Sequence, residues 1–103
     1  MTIDEIKKII LNGENSYIEF KEEETKAKEL AEEMVAFSNS DGGMILIGVD
    51  DKGNIKGIKD NKTEETVMNI CRNNCIPNIT PLYESIETEG RRIAVITVPK
   101  GLN

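Results

Sequence analysis

The chain has 103 residues, a net charge of -6 and no histidine. This length is enough for one domain with a single core. The lack of histidine excludes Ser-His and Cys-His triads and histidine zinc ligands, so catalysis would need other side chains or a bound metal. The acidic charge argues against a broad basic face for nucleic acid, but it excludes neither a small basic patch nor a metal that bridges carboxylates to phosphate. There is no apolar run of 18 residues and no signal-peptide core, so we expect a cytoplasmic protein.

The first half of the chain predicts two helices and two strands. Thr2-x-x-Glu5 is a capping box that opens a helix ending at Gly13. Residues 17–22 alternate apolar and polar side chains, which is typical of a strand. A second helix is expected at residues 26–40, and residues 44–49 are apolar on both faces, as in a central strand covered on both sides.

The second half predicts one strand, a helix and a two-stranded hairpin. A loop that contains glycine leads into a return strand at residues 55–59, and Asn61-x-x-Glu64 resembles a second capping box. Residues 82–88 and 92–98 form a last hairpin across Glu89-Gly90. The predicted order is α-β-α-β-β-α-β-β, an α+β domain in which helices pack on a single mixed sheet.

Basic residues cluster in two places that could contact phosphate. Lysines surround the hairpin after the central strand, and two arginines lie at the tip of the last hairpin. The alternative is that these residues serve solubility and edge protection. Lys21 could contact phosphate or pair with Glu19, which shares its strand face. The nucleic-acid-binding candidates are Lys21, Lys52, Lys56, Lys59, Lys62, Arg91 and Arg92.

Three other motifs are interpreted as structural. Cys71 and Cys75 lack the second cysteine pair or histidine that a zinc site needs, so they are expected to fill the core. Residues 39–43 form a helix stop with two glycines. Residues 48–54 have no Gly-Lys-Ser/Thr, which argues against a Walker-type phosphate loop.

Several motifs together resemble the Schlafen-type Alba-like domain family, which is associated with DNA binding. They are Glu14-Asn-Ser-Tyr-Ile-Glu19-Phe-Lys21, Ala36-Phe-Ser-Asn39-Ser-Asp-Gly42-Gly43, the stretch at residues 47–57, and the final Val-Pro-Lys-Gly at residues 98–101. The resemblance covers about Gly13 to the end. It implies a nucleic-acid-binding module, for DNA or RNA, of a transcriptional-regulator-like protein. It further implies a homodimer, and a domain at residues 1–103 that is a fragment of a longer protein with additional C-terminal domains.

The resemblance also implies an acidic site. In animal Schlafen proteins a related domain is an endoribonuclease, and its three acidic positions correspond to Glu14, Glu19 and Asp51. Three carboxylates can hold Mg²⁺ or Mn²⁺ against a phosphodiester. Alternatively, Glu14 caps a turn, Glu19 lies on a solvated strand face and Asp51 begins a loop.

Three functions therefore stay open. The leading hypothesis is a non-catalytic nucleic-acid-binding module that needs no cofactor. The first alternative is a metal-dependent endoribonuclease lobe that acts on structured RNA, with Mg or Mn as its cofactor. The second alternative is a structural or protein-interaction domain.

Overall fold

Three helices and one four-stranded sheet make up the structure, a computed structural model that describes residues 1–101. The helices are α1 (Ile3–Asn12), α2 (Ala27–Ser38) and α3 (Thr63–Asn73), and the strands are β1 (Ile18–Lys21), β2 (Gly43–Ile47), β3 (Leu82–Thr88) and β4 (Arg91–Val98). Within the described residues, no helix has the length and apolar character needed to cross a bilayer. Leu102 and Asn103, at the end of the expected closing loop, lie outside the described residues.

The sheet is mixed, with the strand order β1-β2-β4-β3. β1 and β2 are parallel and are connected through α2, whereas β4 runs antiparallel to both of its neighbours. The apolar segment of β2 lies in the middle of the sheet, as its composition predicts. The predicted α+β class, with helices packed on a single mixed sheet, is confirmed.

The predicted order of elements is also confirmed, although the return strand at residues 55–59 is reduced to one bridge, between Val49 and Ile55. The backbone of this segment forms its hydrogen bonds elsewhere. The amides of Lys56 and Gly57 both donate to the carbonyl of Gly48, at 2.8 and 2.9 Å. The next amide, of Ile58, donates to the carbonyl of Arg92 in β4 at 2.8 Å. The segment therefore leaves β2 and crosses towards β4 instead of continuing a ladder.

Apolar side chains cover both faces of the sheet. On one face, α2 and α3 pack against alternate residues of β2 and β4, including Ile45 and Ile96. On the other face, Ile6 of α1 packs against Phe20 and Leu46. Cys71 and Cys75 are buried on the side of α2 and α3, which confirms their expected place in the core.

The two predicted capping boxes have different outcomes. Thr2 and Glu5 form the first as expected: the Thr2 hydroxyl accepts from the Glu5 amide at 3.2 Å, and the Glu5 carboxylate accepts from the Thr2 amide at 2.9 Å. The second prediction is wrong, because α3 begins at Thr63 and its N-cap residue, Lys62, forms no side-chain cap. Instead, the carboxylate of Asp60 accepts from the amide of Lys62 at 2.8 Å, so an Asx-type turn precedes the helix.

The paired glycines after α2 have a steric role. The amide of Gly42 donates to the carbonyl of Phe37 at 2.9 Å, which closes the end of the helix. A Cβ atom on Gly43 would lie 2.2 Å from the Phe37 ring, a distance that no side chain tolerates. The turn from α2 to β2 therefore needs glycine for packing, which agrees with the structural interpretation of this motif.

Candidate nucleic-acid interface

A depression of about 360 Å³ lies where the segment at residues 56–61 meets the tip of the β3–β4 hairpin. Four cationic side chains and a single carboxylate line it, although the protein as a whole carries a charge of -6. We call this surface the basic depression. Its polar lining residues are Lys56, Lys59, Asn61, Glu87, Arg91 and Arg92.

Backbone contacts bring these two distant segments together. The amide of Ile58 donates to the carbonyl of Arg92, and the Arg92 guanidinium donates to the carbonyl of Asp60. Gly57 has a φ of +82°, and a Cβ atom on it would lie 3.0 Å from the Cβ of Arg91. The close approach therefore depends on glycine at this position. As a result, two of the lysines and both arginines, which the sequence gives as separate candidates, share one surface.

The four cations of the basic depression differ in their exposure and in their contacts with other groups of the protein. Lys56, Lys59 and Arg91 are exposed, whereas Arg92 is half-buried and holds Asp60. The Lys56 ammonium lies 3.9 Å from a carboxylate oxygen of Asp50. Among residues 1–101, no ion pair within 4 Å involves the other three cations. Three exposed cations are thus oriented towards solvent at one place.

The remaining basic candidates lie elsewhere. Lys52 and Lys62 are exposed but do not line the basic depression. Lys21 is largely enclosed by acidic side chains. Its ammonium lies 2.8 Å from Glu29 of α2, 3.6 Å from Glu19 and 3.8 Å from Glu33 of α2. This observation favours the ion-pair interpretation of Lys21, and its contact with nucleic acid stays a prediction.

The acidic candidates lie at the other edge of the sheet, around β1. The Glu14 carboxylate accepts from the amide of Phe20 at 2.8 Å. Because β1 is an edge strand, this bond satisfies a backbone group that no neighbouring strand pairs. Burial raises the pKa of Glu19 to about 7, with further contributions from the negative charges of Glu33 and Glu14, while Lys21 opposes the shift.

Asp51 comes from a different part of the chain. It follows β2 and lines a shallow depression together with Lys21 and Glu29. The structure therefore gathers Glu14 and Glu19, and adds Glu29 and Glu33, which the motif did not indicate. Over residues 1–101, no three Asp, Glu or Cys side chains are grouped so that they could hold a metal ion. The metal-binding role of Glu14, Glu19 and Asp51 remains a prediction.

Sequence reasoning missed the acidic residues of α2. Glu29 and Glu33 are four residues apart, a spacing that places both on one face of a helix. That spacing was a usable signal. It could not show, however, that this face lies above the polar side of β1, where Glu19 and Lys21 point.

Comparisons with known proteins agree with the fold. The N-terminal domain of a RecG-related protein from Nitrosomonas europaea, described as a candidate ATP-dependent DNA helicase, is 26% identical with a TM-score of 0.75, over 93% of this chain and 71% of that one. The DIP2311 protein from Corynebacterium diphtheriae is 20% identical with a TM-score of 0.72 and shows the fold alone. That match covers 98% of this chain but 26% of the other. No curated protein matches the chain.

The family comparison is more specific. The model of the family described as Schlafen, AlbA_2 matches residues 14–103. The match begins at the first glutamate of the Glu14–Lys21 motif and includes the basic depression. Since it spans most of the sequence, the chain belongs to the Schlafen, AlbA_2 family.

Proposed function

We propose that the chain is a nucleic-acid-binding module that contacts the phosphate backbone through the basic depression. The observation that carries this proposal is the convergence of Lys56, Lys59, Arg91 and Arg92 on one surface with a single carboxylate, Glu87. The family and the similarity to a RecG-related domain support it. We further propose that the module acts in the cytoplasm as a homodimer, within a longer protein that resembles a transcriptional regulator.

The chemistry of the lining favours contacts to phosphate over contacts to bases. No aromatic side chain lines the basic depression, so it offers no platform on which a base could stack. Lysine and arginine side chains neutralise phosphates and release condensed counterions. Three exposed cations give an expected slope of roughly -3 for log K against log salt for one lobe on duplex DNA. A dimer that binds with both lobes should double this slope.

The test is to measure binding of labelled duplex DNA and structured RNA by fluorescence anisotropy over a range of salt concentrations. The variant Lys56→Ala/Lys59→Ala removes two exposed cations from the basic depression. Lys7→Ala/Lys8→Ala removes the same charge from the exposed face of α1, outside it, and serves as the control. Arg92 is left intact because its guanidinium holds the carbonyl of Asp60.

We expect the first variant to weaken binding and to lower the magnitude of the salt slope by roughly two for each bound lobe, and the control to change both far less. Equal losses in the two variants would mean that overall charge, and not the basic depression, determines binding. No binding of either probe at low salt would refute the proposal and leave the protein-interaction alternative.

The endoribonuclease alternative is retained for one observation: Glu14 and Glu19 lie close together, and the pKa of Glu19 is raised to about 7. The carboxylates within the described residues do not form a three-ligand set, so we assign no catalytic step to a metal. The test is to incubate the protein with structured RNA and Mg²⁺ or Mn²⁺. Cleavage by the parent that Glu19→Gln abolishes would support the alternative, whereas no cleavage, or equal cleavage by both, would remove it.

A further inference from the structure

The acidic loop between β1 and α2 contains one residue whose contacts differ from those of its neighbours. The carboxylate of Glu23 accepts from the amide of Lys59, at 2.9 and 3.1 Å from its two oxygens, and from the amide of Asp60 at 2.8 Å. Glu23 is half-buried, whereas Glu22 and Glu24 are exposed. Over residues 1–101, the side chains of those two neighbours form no hydrogen bond or ion pair.

Asp60 connects this carboxylate to the other side of the basic depression. Its amide donates to Glu23, and its carbonyl accepts from the guanidinium of Arg92 and from the hydroxyl of Thr63. The backbone beside Lys59 is therefore held from two directions, by the loop before α2 and by β4. Because the segment has a single bridge, from Ile55 to Val49 after the end of β2, these side-chain contacts replace the pairing that a strand would have supplied.

We propose that Glu23 is a positioning residue for nucleic-acid binding, which holds the Lys59 segment so that its cation faces the same surface as Arg91. This inference rests on the proposed function of the basic depression. A segment that is ordered before binding loses less conformational entropy when it binds. Removal of Glu23 should therefore weaken binding, even though it removes a negative charge from the protein.

The direction in which affinity for nucleic acid changes on removal of Glu23 distinguishes a positioning role from a purely electrostatic one. Loss of any carboxylate from an acidic protein lowers its repulsion of phosphate, which on its own strengthens binding. Glu24→Ala tests this charge effect alone, since Glu24 is adjacent in sequence and its side chain forms no hydrogen bond or ion pair within residues 1–101. Glu23→Gln removes the charge but keeps a side-chain oxygen that can accept from both amides.

The experiment compares the parent, Glu23→Ala, Glu23→Gln and Glu24→Ala. Affinity for a labelled duplex DNA is measured by anisotropy at low salt, and hydrogen exchange of the Lys59 and Asp60 amides is followed by NMR in the free proteins. We expect Glu23→Ala to bind roughly fivefold more weakly and to exchange both amides faster, because the freed segment must be ordered on binding. Glu23→Gln and Glu24→Ala each lose one negative charge without freeing the segment, so both should bind as tightly as the parent or more tightly.

Two results would overturn the inference. Glu23→Ala that binds as tightly as Glu24→Ala would show that Glu23 acts only through its charge. Unchanged exchange of the two amides would show that the carboxylate does not hold the segment. Where circular dichroism shows that Glu23→Ala is unfolded, Glu23→Gln provides the test. If Glu23→Gln is folded and keeps slow exchange of both amides but binds weakly, the segment is held and binding is still lost, which would refute positioning. Failure of the parent to bind at low salt is a different result: it refutes the proposed function, and the positioning role with it.

Discussion

Replacement of Glu19 by glutamine should stabilise the protein above neutral pH and have little effect in acid. Burial on the polar face of β1 raises the pKa of Glu19 to about 7, from an ordinary value of 4.5, with help from the charges of Glu33 and Glu14. The folded protein therefore favours the protonated, neutral carboxyl group. Glutamine resembles that neutral form in size and shape, so it removes the cost of the charge and keeps the packing.

The size and sign of this stability change follow from the pKa of Glu19 in the folded protein and in the unfolded chain. Each pH unit between them corresponds to about 1.4 kcal/mol, so values of 4.5 and about 7 give a ceiling of about 3 kcal/mol. The side chain is 28% exposed, and solvent screening lowers the expectation to about 1 to 2 kcal/mol. Below pH 4.5 the group is protonated in both states, so no cost arises. As the pH rises to about 7, the unfolded chain loses its proton first and stability falls, and above that value the full cost persists.

The assay is equilibrium urea denaturation of the parent and Glu19→Gln at about pH 4 and about pH 8, values that lie on either side of the transition. Glu32→Gln is the control, since Glu32 is an exposed residue of α2 without an ion pair among the described residues. An NMR titration of the Glu19 carboxyl group gives its midpoint directly. A stability gain of equal size at both pH values, or a larger gain in acid, would refute the reasoning.

Three further predictions concern packing and local structure. Gly43→Ala should lower the free energy of unfolding by about 1 to 3 kcal/mol, measured by urea denaturation, because its Cβ would overlap the ring of Phe37; an unchanged midpoint would contradict this. Burial raises the pKa of Cys71 to about 11, so iodoacetamide at about pH 8 should label this thiol only in denaturant, as mass spectrometry would show; labelling of the native protein would contradict it. Thr2→Ala should lower stability by about 1 kcal/mol through loss of the cap to Glu5, and Thr2→Ser should retain most of it in thermal denaturation.

Most of the fold could be predicted from local patterns. The apolar run of β2 indicates a central strand because such a strand is covered on both faces, and the final hairpin follows from the two strand-like segments on either side of Glu89-Gly90. The prediction was weakest at residues 55–64. There a strand is reduced to one bridge and a capping box is replaced by the turn at Asp60, because contacts with Glu23 and Arg92 outweigh local preference.

The sequence by itself determined the class of fold, the family motifs and the types of residue available for chemistry, because these depend on periodicity and composition. Only the tertiary structure decided which charges act together. It placed Lys21 among the carboxylates of α2 and brought Lys56 and Lys59 beside Arg91. The physical reason is that charges interact through space over a few ångströms. Residues some 30 positions apart reach that distance only when backbone hydrogen bonds, such as the one from Ile58 to Arg92, fix the path of the chain.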